Sequence, residues 1–427
     1  MASRLPPELL IEIFAFCAHT DALAPIYFSG VCSLWKTITE SSARIWQVIR
    51  IDDSKPITAS HNQAQRWIRQ SEPMHFDVHV HIQSLGYLLP LLSPFLSAMH
   101  RWHSLSITGI RQEIITFSDS FPNFESLDYL SIFIDGGAEN HQFTLFAPLR
   151  MTLWLNSLPG SSTLVPLRFT TVMISEESMS VHPTTVLDFL SALPQLEHFC
   201  LSGLINDDEH SMANAAIVFL PRLQTLTIRS TCTTRAILSH LHAPDLSELY
   251  LGHLNVDWSL PFDQITFAEG DSDDEAADFS RSPSSDRATG MGLRALINRS
   301  SPPLRVLHMD YADMRTKDFK FVFDRLERLE EFLIVASDMS DTVIRLFAPL
   351  PNGQVRLPKL RTLELNNCLR LSGDAIVECI GRRVRLTDRN ESMATLSGVT
   401  IVECYSFTSA HAQKLNQDLG HRLAVSS

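Results

Sequence analysis

The sequence predicts an α/β protein in which a three-helix N-terminal module precedes parallel strands that alternate with helices. Two observations carry this prediction. Residues 5–46 contain three short segments whose apolar side chains have helical spacing. From residue 101 to residue 407, an apolar triplet recurs about every 20–30 residues, the period of a repeating helix–strand unit.

Composition places the chain among globular proteins. It has 427 residues, 44% of them hydrophobic, and is therefore too long for one ordinary domain. The formal net charge is −13, but six acidic residues lie between positions 269 and 278. The rest of the chain is only mildly acidic, which argues against a nucleic-acid surface as its main function.

The chain carries no sequence signal for secretion or for membrane insertion. Residues 1–4 run directly into the first helical segment, and no apolar stretch has the length of a membrane span. The seven cysteines are scattered without close pairs, which favours neither a disulfide framework nor a zinc site. We therefore expect a reducing compartment, cytoplasmic or nuclear, and no membrane partner.

The N-terminal module has more apolar surface than about forty residues can bury on themselves. The first segment follows a proline pair, and Thr20-Asp21 offers a cap for the second. The apolar residues are Leu9, Leu10, Ile13, Phe14 and Cys17 in the first segment and Val31, Trp35 and Ile38 in the third. These helices must pack on a partner, on the rest of the chain, or on both.

The same residues resemble an F-box. The resemblance is carried by Leu5-Pro6-x-Glu8-Leu9-Leu10-x-x-Ile13-Phe14, then Val31-Cys32-x-x-Trp35, then Ile45-Trp46. It implies docking on the Skp-type adaptor of a cullin–RING ubiquitin ligase. The adaptor-binding residues that it implies are Leu5, Pro6, Leu9, Leu10, Ile13, Val31, Cys32 and Trp35.

Two positions depart from that pattern. Pro25 falls where the second helix is expected, and a proline inside a helix removes a hydrogen bond and clashes with the preceding turn. Leu34 stands where a basic residue often precedes the tryptophan. The alternative interpretation is a three-helix cap on the following residues, with Trp35 belonging only to its core.

Residues 51–100 are expected to form a linker or capping region with a short strand and a helix. Residues 76–82 alternate strictly between apolar and polar side chains, which predicts a half-buried strand. Asp77, His79 and His81 then share its solvent side. Since no further ligands are patterned around the two histidines, we expect a hydrated strand face and no metal.

The recurring triplet predicts one short strand per repeat, because its last two positions point to the same face. Ten copies begin at Trp102, Leu127, Phe169, Leu196, Leu223, Leu246, Leu304, Leu329, Leu360 and Leu396, with Leu153-x-Leu155 as a degenerate member. Helical patterns separate the strands, as in residues 186–193 and 319–326. The arrangement resembles the leucine-rich-repeat solenoid that follows F-boxes in substrate receptors. Residues 408–427 are expected to form a helical tail.

Two irregularities interrupt the repeats. Residues 269–292 are acidic and rich in serine and glycine, which predicts a disordered insertion. Ser272 and Ser282 resemble kinase sites within it, although an unmodified insertion is the alternative. Arg383 and Arg385 would share one exposed face if their segment were a strand, where they would bind an acidic or phosphorylated target. The alternative is a basic rim at the end of a helix.

No catalytic motif is present in the sequence. We therefore expect no enzyme activity and no cofactor. The resemblance implies a substrate-recognition subunit that docks on the adaptor and the cullin–RING core and binds a protein target through the repeats. A scaffold independent of any ligase is one alternative, and a hydrolase with its site in the repeat concavity is another.

Overall fold

The computed structural model describes the α/β fold over most of the chain. The described residues are 5–84, 86–110, 127–135, 152–155, 158, 169–175, 182–203, 216–229, 234–252, 289–310, 314–336, 339–390 and 393–426. They contain 12 α-helices and 16 strands. The chain divides into two compact units, Met1–Ser178 and Met179–Ser427.

The helices of the first unit begin at its N-terminus. They are α1 (Pro7–Thr20), α2 (Ala24–Val31), α3 (Ser33–Ser41), α4 (Ile57–Gln70) and α5 (Leu88–Leu92), with 3₁₀ helices at Ala43–Trp46 and Ser93–Arg101. Pro25 does not disturb α2, contrary to the prediction. It occupies the first turn, where the backbone amides have no helical acceptor to lose.

The strands of the first unit are all parallel to their neighbours. They are β1 (Val48–Asp52), β2 (Phe76–Ile82), β3 (Trp102–Ile110), β4 (Tyr129–Asp135), β5 (Thr152–Leu155) and β6 (Thr171–Ser175). The strand predicted at residues 76–82 is confirmed, with alternate side chains buried. Residues 51–100, expected to form a linker or capping region with a short strand and a helix, contain α4 and β2, and β2 pairs with β3 in the same sheet as the first repeats.

The second unit continues the alternation of helix and parallel strand. Its main-sheet strands are β7 (His198–Ser202), β9 (Thr225–Arg229), β11 (Glu248–Gly252), β12 (Val306–Asp310), β13 (Glu331–Val335), β14 (Thr362–Asn366), β15 (Gly398–Val402) and β16 (Leu423–Ser426). A separate parallel pair joins β8 (Val218–Phe219) and β10 (Leu241–His242).

The helices of the second unit alternate with these strands along the chain. They are α6 (Pro183–Ser191), α7 (Thr234–His240), α8 (Thr289–Ser300), α9 (Thr316–Arg325), α10 (Asp341–Ile344), α11 (Gly373–Thr387) and α12 (Ser409–Leu419), with 3₁₀ helices at Arg345–Phe347 and Gly420–Arg422. In α9, Phe319, Val322 and Phe323 are buried as their spacing predicts.

The triplets form the buried face of the sheets. In β9 to β15 of the main sheet, the second and third apolar residues are fully buried, while the residues between them are half-exposed. Leu130 in the first unit is half-buried and is the exception among the described triplet residues. The strands were predictable because a period of two separates a buried face from an exposed one.

The predicted C-terminal boundary of the acidic insertion is wrong. The insertion does not extend to residue 292, because α8 begins at Thr289. Positions 290 and 292 of this helix are glycines because larger side chains would not fit there. A Cβ on Gly290 would lie 2.5 Å from the Asp318 carboxylate, and one on Gly292 would lie 2.9 Å from the Arg235 backbone. Residues 269–288, the rest of the predicted insertion, lie outside the described residues.

The C-terminal tail is not helical throughout. After α12, the chain forms strand β16, which pairs in parallel with β15. The main sheet therefore gains a further strand beyond residue 407. Its sequence, Leu-Ala-Val-Ser, is too short to show a period-two pattern. The backbone hydrogen bonds with β15 identify it as a strand.

Candidate protein-binding surface

Helix α1 carries two apolar stripes that face in different directions. Leu10, Phe14 and Ala18 are buried, whereas Leu9 and Ile13 are about half-exposed. Each stripe recurs at intervals of four residues, so each runs along one side of the helix. One stripe belongs to the core of the first unit and the other faces outward.

An aromatic cluster holds the three N-terminal helices together. The ring of Phe14 stacks on Phe28 with centroids 4.2 Å apart and meets Trp35 edge-on at 4.7 Å. Trp46 is fully buried, donates from its indole nitrogen to the carbonyl of Thr39 at 2.7 Å, and contacts the ring of Trp67 on α4 at 4.9 Å. The module is thus anchored to the rest of the first unit.

Two arginines fix the orientation of α1. Arg44 forms an ion pair with Glu12, a residue on the outer side of the helix. Arg50 on β1 donates to the carbonyl oxygens of Thr20 and His19, both at 2.7 Å, and so satisfies acceptors at the C-terminus of α1. The outward stripe therefore sits on a helix held at both its core and its end.

We call the exposed large apolar side chains of α1, α2 and α3, together with Leu5 just before α1, the N-terminal apolar patch. Their exposed fractions range from 41% to 75%. The patch consists of Leu5, Leu9, Ile13, Phe16, Tyr27, Val31 and Leu34. Large apolar side chains exposed together in this way make these helices a candidate protein-binding surface.

The structure separates the eight predicted adaptor-binding residues into two groups. Leu5, Pro6, Leu9, Ile13, Val31 and Cys32 are exposed. Leu10 is buried and Trp35 is half-buried in the aromatic cluster, so neither offers its side chain mainly to a partner. The prediction is wrong for Leu10, because adjacent leucines on a helix point about 100° apart.

Three residues of the patch were not predicted from the sequence. Phe16 is the most exposed of them, at 75%, and Tyr27 and Leu34 join it. A signal was available for Phe16, since it follows Leu9 and Ile13 at the i, i+4, i+7 spacing of a second stripe. Leu34, noted as a departure from the resemblance, extends the apolar surface.

The outward face of strands β11–β14 is a second candidate surface. The ring of Tyr250 meets that of His308 edge-on, with centroids 4.8 Å apart. His308 contacts the carboxylate of Glu331 at 2.5 Å, and the Tyr250 hydroxyl donates to Glu248 at 3.2 Å. Burial, followed by the negative charges of Glu248 and Glu331, raises the pKa of Tyr250.

This face is acidic. Besides His308, four residues with charged side chains lie at the outward positions of β11–β14, and all four are acidic. They are Glu248, Asp310, Glu331 and Glu364. At the start of the strands lies a recess of about 210 Å³ in which Arg305 pairs with Glu330 at 3.0 Å. Arg361 also lines that recess, so the rim is mixed in charge while the face is negative.

Arg383 and Arg385 do not form a shared target-binding face, and that prediction is wrong for Arg383. Their segment is helix α11, on which residues two apart point to different sides. Arg383 is fully buried and donates to the carbonyls of Leu357 at 2.6 Å and Arg356 at 2.8 Å. Burial lowers its pKa to about 10. Arg385 is half-exposed and pairs with Asp418.

The remaining sequence predictions concern modification and metal binding. Ser272 and Ser282 lie outside the described residues. Asp77, His79 and His81 lie on the outward side of β2, as expected, and burial followed by the charge of Arg50 lowers the pKa of His79. Among the described residues, no group of three or more His, Cys, Asp or Glu could hold a metal ion.

Comparison with models of known protein families finds no match, and comparison with curated proteins finds none either. Of the helices in the described ranges, none is long and apolar enough to cross a membrane.

Proposed function

We propose that this protein is a non-catalytic substrate-recognition subunit of a cullin–RING ubiquitin ligase. Its N-terminal helices would dock on a Skp-type adaptor, and its repeats would hold a protein target near the ubiquitin-loaded enzyme. The contribution to the reaction is proximity, because tethering raises the effective concentration of the target's lysines.

The N-terminal apolar patch is the observation that carries the proposal. Leu5, Leu9 and Ile13 belong to the F-box-like motif and are exposed, while Phe14 and Trp35 of the same motif form the core beneath them. This division into an outer face and an inner face supports docking. A three-helix cap that served only the rest of the chain would bury these side chains.

The repeats are proposed to form a leucine-rich-repeat-like solenoid in the second unit. The support is a uniform strand register, in which each triplet lies beside the next triplet in a parallel ladder. Stacking of this kind buries one continuous core and leaves a row of outward side chains on each strand.

The outward face of β11–β14 is the surface proposed to bind the target. It offers the aromatic ring of Tyr250, the apolar side chain of Leu333 and the acidic Glu331 and Glu364. Its charge favours a target with a basic segment, and binding should weaken as salt is added. Arg383 has no part in this surface.

The experiment that tests the proposal is a binding measurement between the full chain and a purified Skp-type adaptor. The test variant is Leu9→Ala with Ile13→Ala, which removes exposed apolar area without touching the aromatic cluster. Because central apolar contacts carry most of the energy of an interface, we expect at least a tenfold weaker affinity.

Leu96→Ala is the matched control. Leu96 lies in the same unit and is 43% exposed, close to the 46% of Ile13, but it lies outside the three helices. The Leu96→Ala variant should bind the adaptor with the affinity of the wild type. Circular dichroism establishes that each variant is folded. A wild-type chain that shows no adaptor binding would overturn the proposal.

A ligase-independent scaffold is distinguished by a second readout. Purification of the full chain from cells should recover cullin along with the adaptor, and the Leu9→Ala, Ile13→Ala variant should lose both together. Recovery of the adaptor without cullin favours the scaffold.

A further inference from the structure

The turns that follow β14 and β15 are stacked in register. Asn366 and Val402, the last residues of the two strands, are paired partners. The next residues, Asn367 and Glu403, both have left-handed backbone angles, with φ of 49° and 48°. The amide of Asn367 donates to the carbonyl of Val402 at 2.8 Å. The two turns therefore take the same path side by side.

Each turn places a cysteine at the same position. Cys368 and Cys404 both come two residues after the paired strand ends. Neighbouring strands lie about 4.8 Å apart. Equivalent positions on the two turns therefore fall within the Cα separation of about 4.4–6.8 Å that a disulfide spans.

Both thiols also contact the backbone at the end of β14. The sulfur of Cys368 lies 3.6 Å from the carbonyl oxygen of Asn366, and that of Cys404 lies 3.6 Å from the carbonyl oxygen of Leu365. Both sulfurs thus turn back to the end of β14. The Cys368 thiol can donate a hydrogen bond to the Cys404 thiolate.

This contact changes the chemistry of one thiol. The hydrogen bond with Cys368 outweighs burial and lowers the pKa of Cys404 to about 7. Cys379, a buried cysteine on α11, has its pKa raised by burial to about 11. Since the thiolate is the form that peroxides oxidise, Cys404 is more reactive than Cys379.

We propose that Cys368 and Cys404 are an oxidation site that closes to a reversible intramolecular disulfide when the protein meets a hydroperoxide. The Cys404 thiolate attacks one peroxide oxygen and the O–O bond breaks. With hydrogen peroxide, one proton taken up releases water and leaves a sulfenic acid on Cys404. The Cys368 sulfur then displaces the hydroxyl group, and its proton leaves with a second water. Two thiols are oxidised to one disulfide, and one peroxide is reduced to two waters.

The burial of Cys368 and Cys404 favours the disulfide over further oxidation of Cys404. Cys404 is 6% exposed, which gives a small oxidant access, whereas Cys368 is fully buried and held beside it as the resolving thiol. The link would join the turns that carry Leu369 and Tyr405, both exposed. Oxidation would therefore stiffen an exposed surface at the ends of β14 and β15. A dithiol reductant would reverse it.

The test treats the purified full chain with hydrogen peroxide and follows it by mass spectrometry. We expect, after digestion, a cross-linked Cys368–Cys404 peptide two hydrogens lighter than the two reduced peptides together, and recovery of both thiols with dithiothreitol. The exposed Cys32 reports that the oxidant acted. The urea midpoint of the oxidised wild type should be higher than that of the reduced wild type.

Variants at two cysteines complete the test. Cys379→Ser should keep the cross-link, while Cys368→Ser should lose it and accumulate higher oxides on Cys404. The wild-type digest decides the outcome even if a serine variant fails to fold. Oxidation of Cys32 while Cys368 and Cys404 stay reduced would overturn the proposal. So would a link from either cysteine to a different partner.

Discussion

Replacement of Arg383 by methionine should destabilise the second unit by several kcal/mol, although the residue sits in a run of arginines that resembles a surface. The guanidinium donates to the carbonyls of Leu357 at 2.6 Å and Arg356 at 2.8 Å, and at 3.4 Å to that of Phe347. It thus fastens helix α11 to the segment that precedes β14. Methionine fills much of the same space but donates nothing.

The magnitude follows from the carbonyls that lose the guanidinium, since that of Leu357 also accepts from the amide of Leu360 at 3.1 Å. A buried carbonyl left without a donor costs about 1–3 kcal/mol, so the carbonyls of Arg356 and Phe347 together give about 2–6 kcal/mol. The guanidinium is charged in a site where burial lowers its pKa to about 10, and its removal also relieves that burial. The expected loss in free energy of unfolding is therefore in the lower half of the range, about 2–4 kcal/mol.

Urea denaturation followed by far-ultraviolet circular dichroism measures this loss as a lower midpoint. Arg385→Met is the matched control, since Arg385 lies on the same helix, is half-exposed, and pairs with Asp418 on the surface. Its effect should stay below about 1 kcal/mol. Equal midpoints for the two variants would refute the assignment of Arg383 to the core.

Two further predictions concern backbone space and charge. Gly109→Ala should abolish the folded first unit, because the residue has φ of 144° and its Cβ would lie 2.1 Å from the carbonyl oxygen of Ile82. Gly398→Ala, whose nearest contact would be 4.0 Å away, should leave the thermal melting temperature nearly unchanged, and equal melting of both variants would contradict this. The hydrogen bond from Arg422 outweighs burial and lowers the pKa of Asp388. Its stabilisation is present above the unfolded pKa of about 3.9 and is lost as pH falls through the folded value. Asp388→Asn should therefore flatten the fall of the urea midpoint below pH 4, and an unchanged slope would count against this pair.

Sequence patterns predicted the regular parts of the fold well. The triplets around Leu363 and Leu365 mark a buried strand face, because a period of two has no other simple interpretation. Irregular parts were less predictable. The helix that begins at Thr289 was hidden because Gly290 and Gly292 read as a flexible segment until their close neighbours are known.

In the candidate sites, tertiary contacts decide which side chains are buried and which come together. Arg383 and Arg385 are chemically equal in the sequence, yet the carbonyls that bind Arg383 lie 26 and 27 residues away along the chain. No local pattern records acceptors at that distance. The same holds for Cys368 and Cys404, which look scattered in the sequence and meet only because two strands pair in register.

The sequence by itself determined most of the segments that become helices and strands and which face of each repeat strand is buried, because hydrophobic periodicity is a local property. It also determined that the N-terminal helices carry more apolar surface than they can bury. Only the tertiary structure decided how that surface is divided. Leu9 and Leu10 are adjacent and equally apolar, and Leu10 is the one buried because Phe14, Phe28 and Trp35 pack on its side of α1.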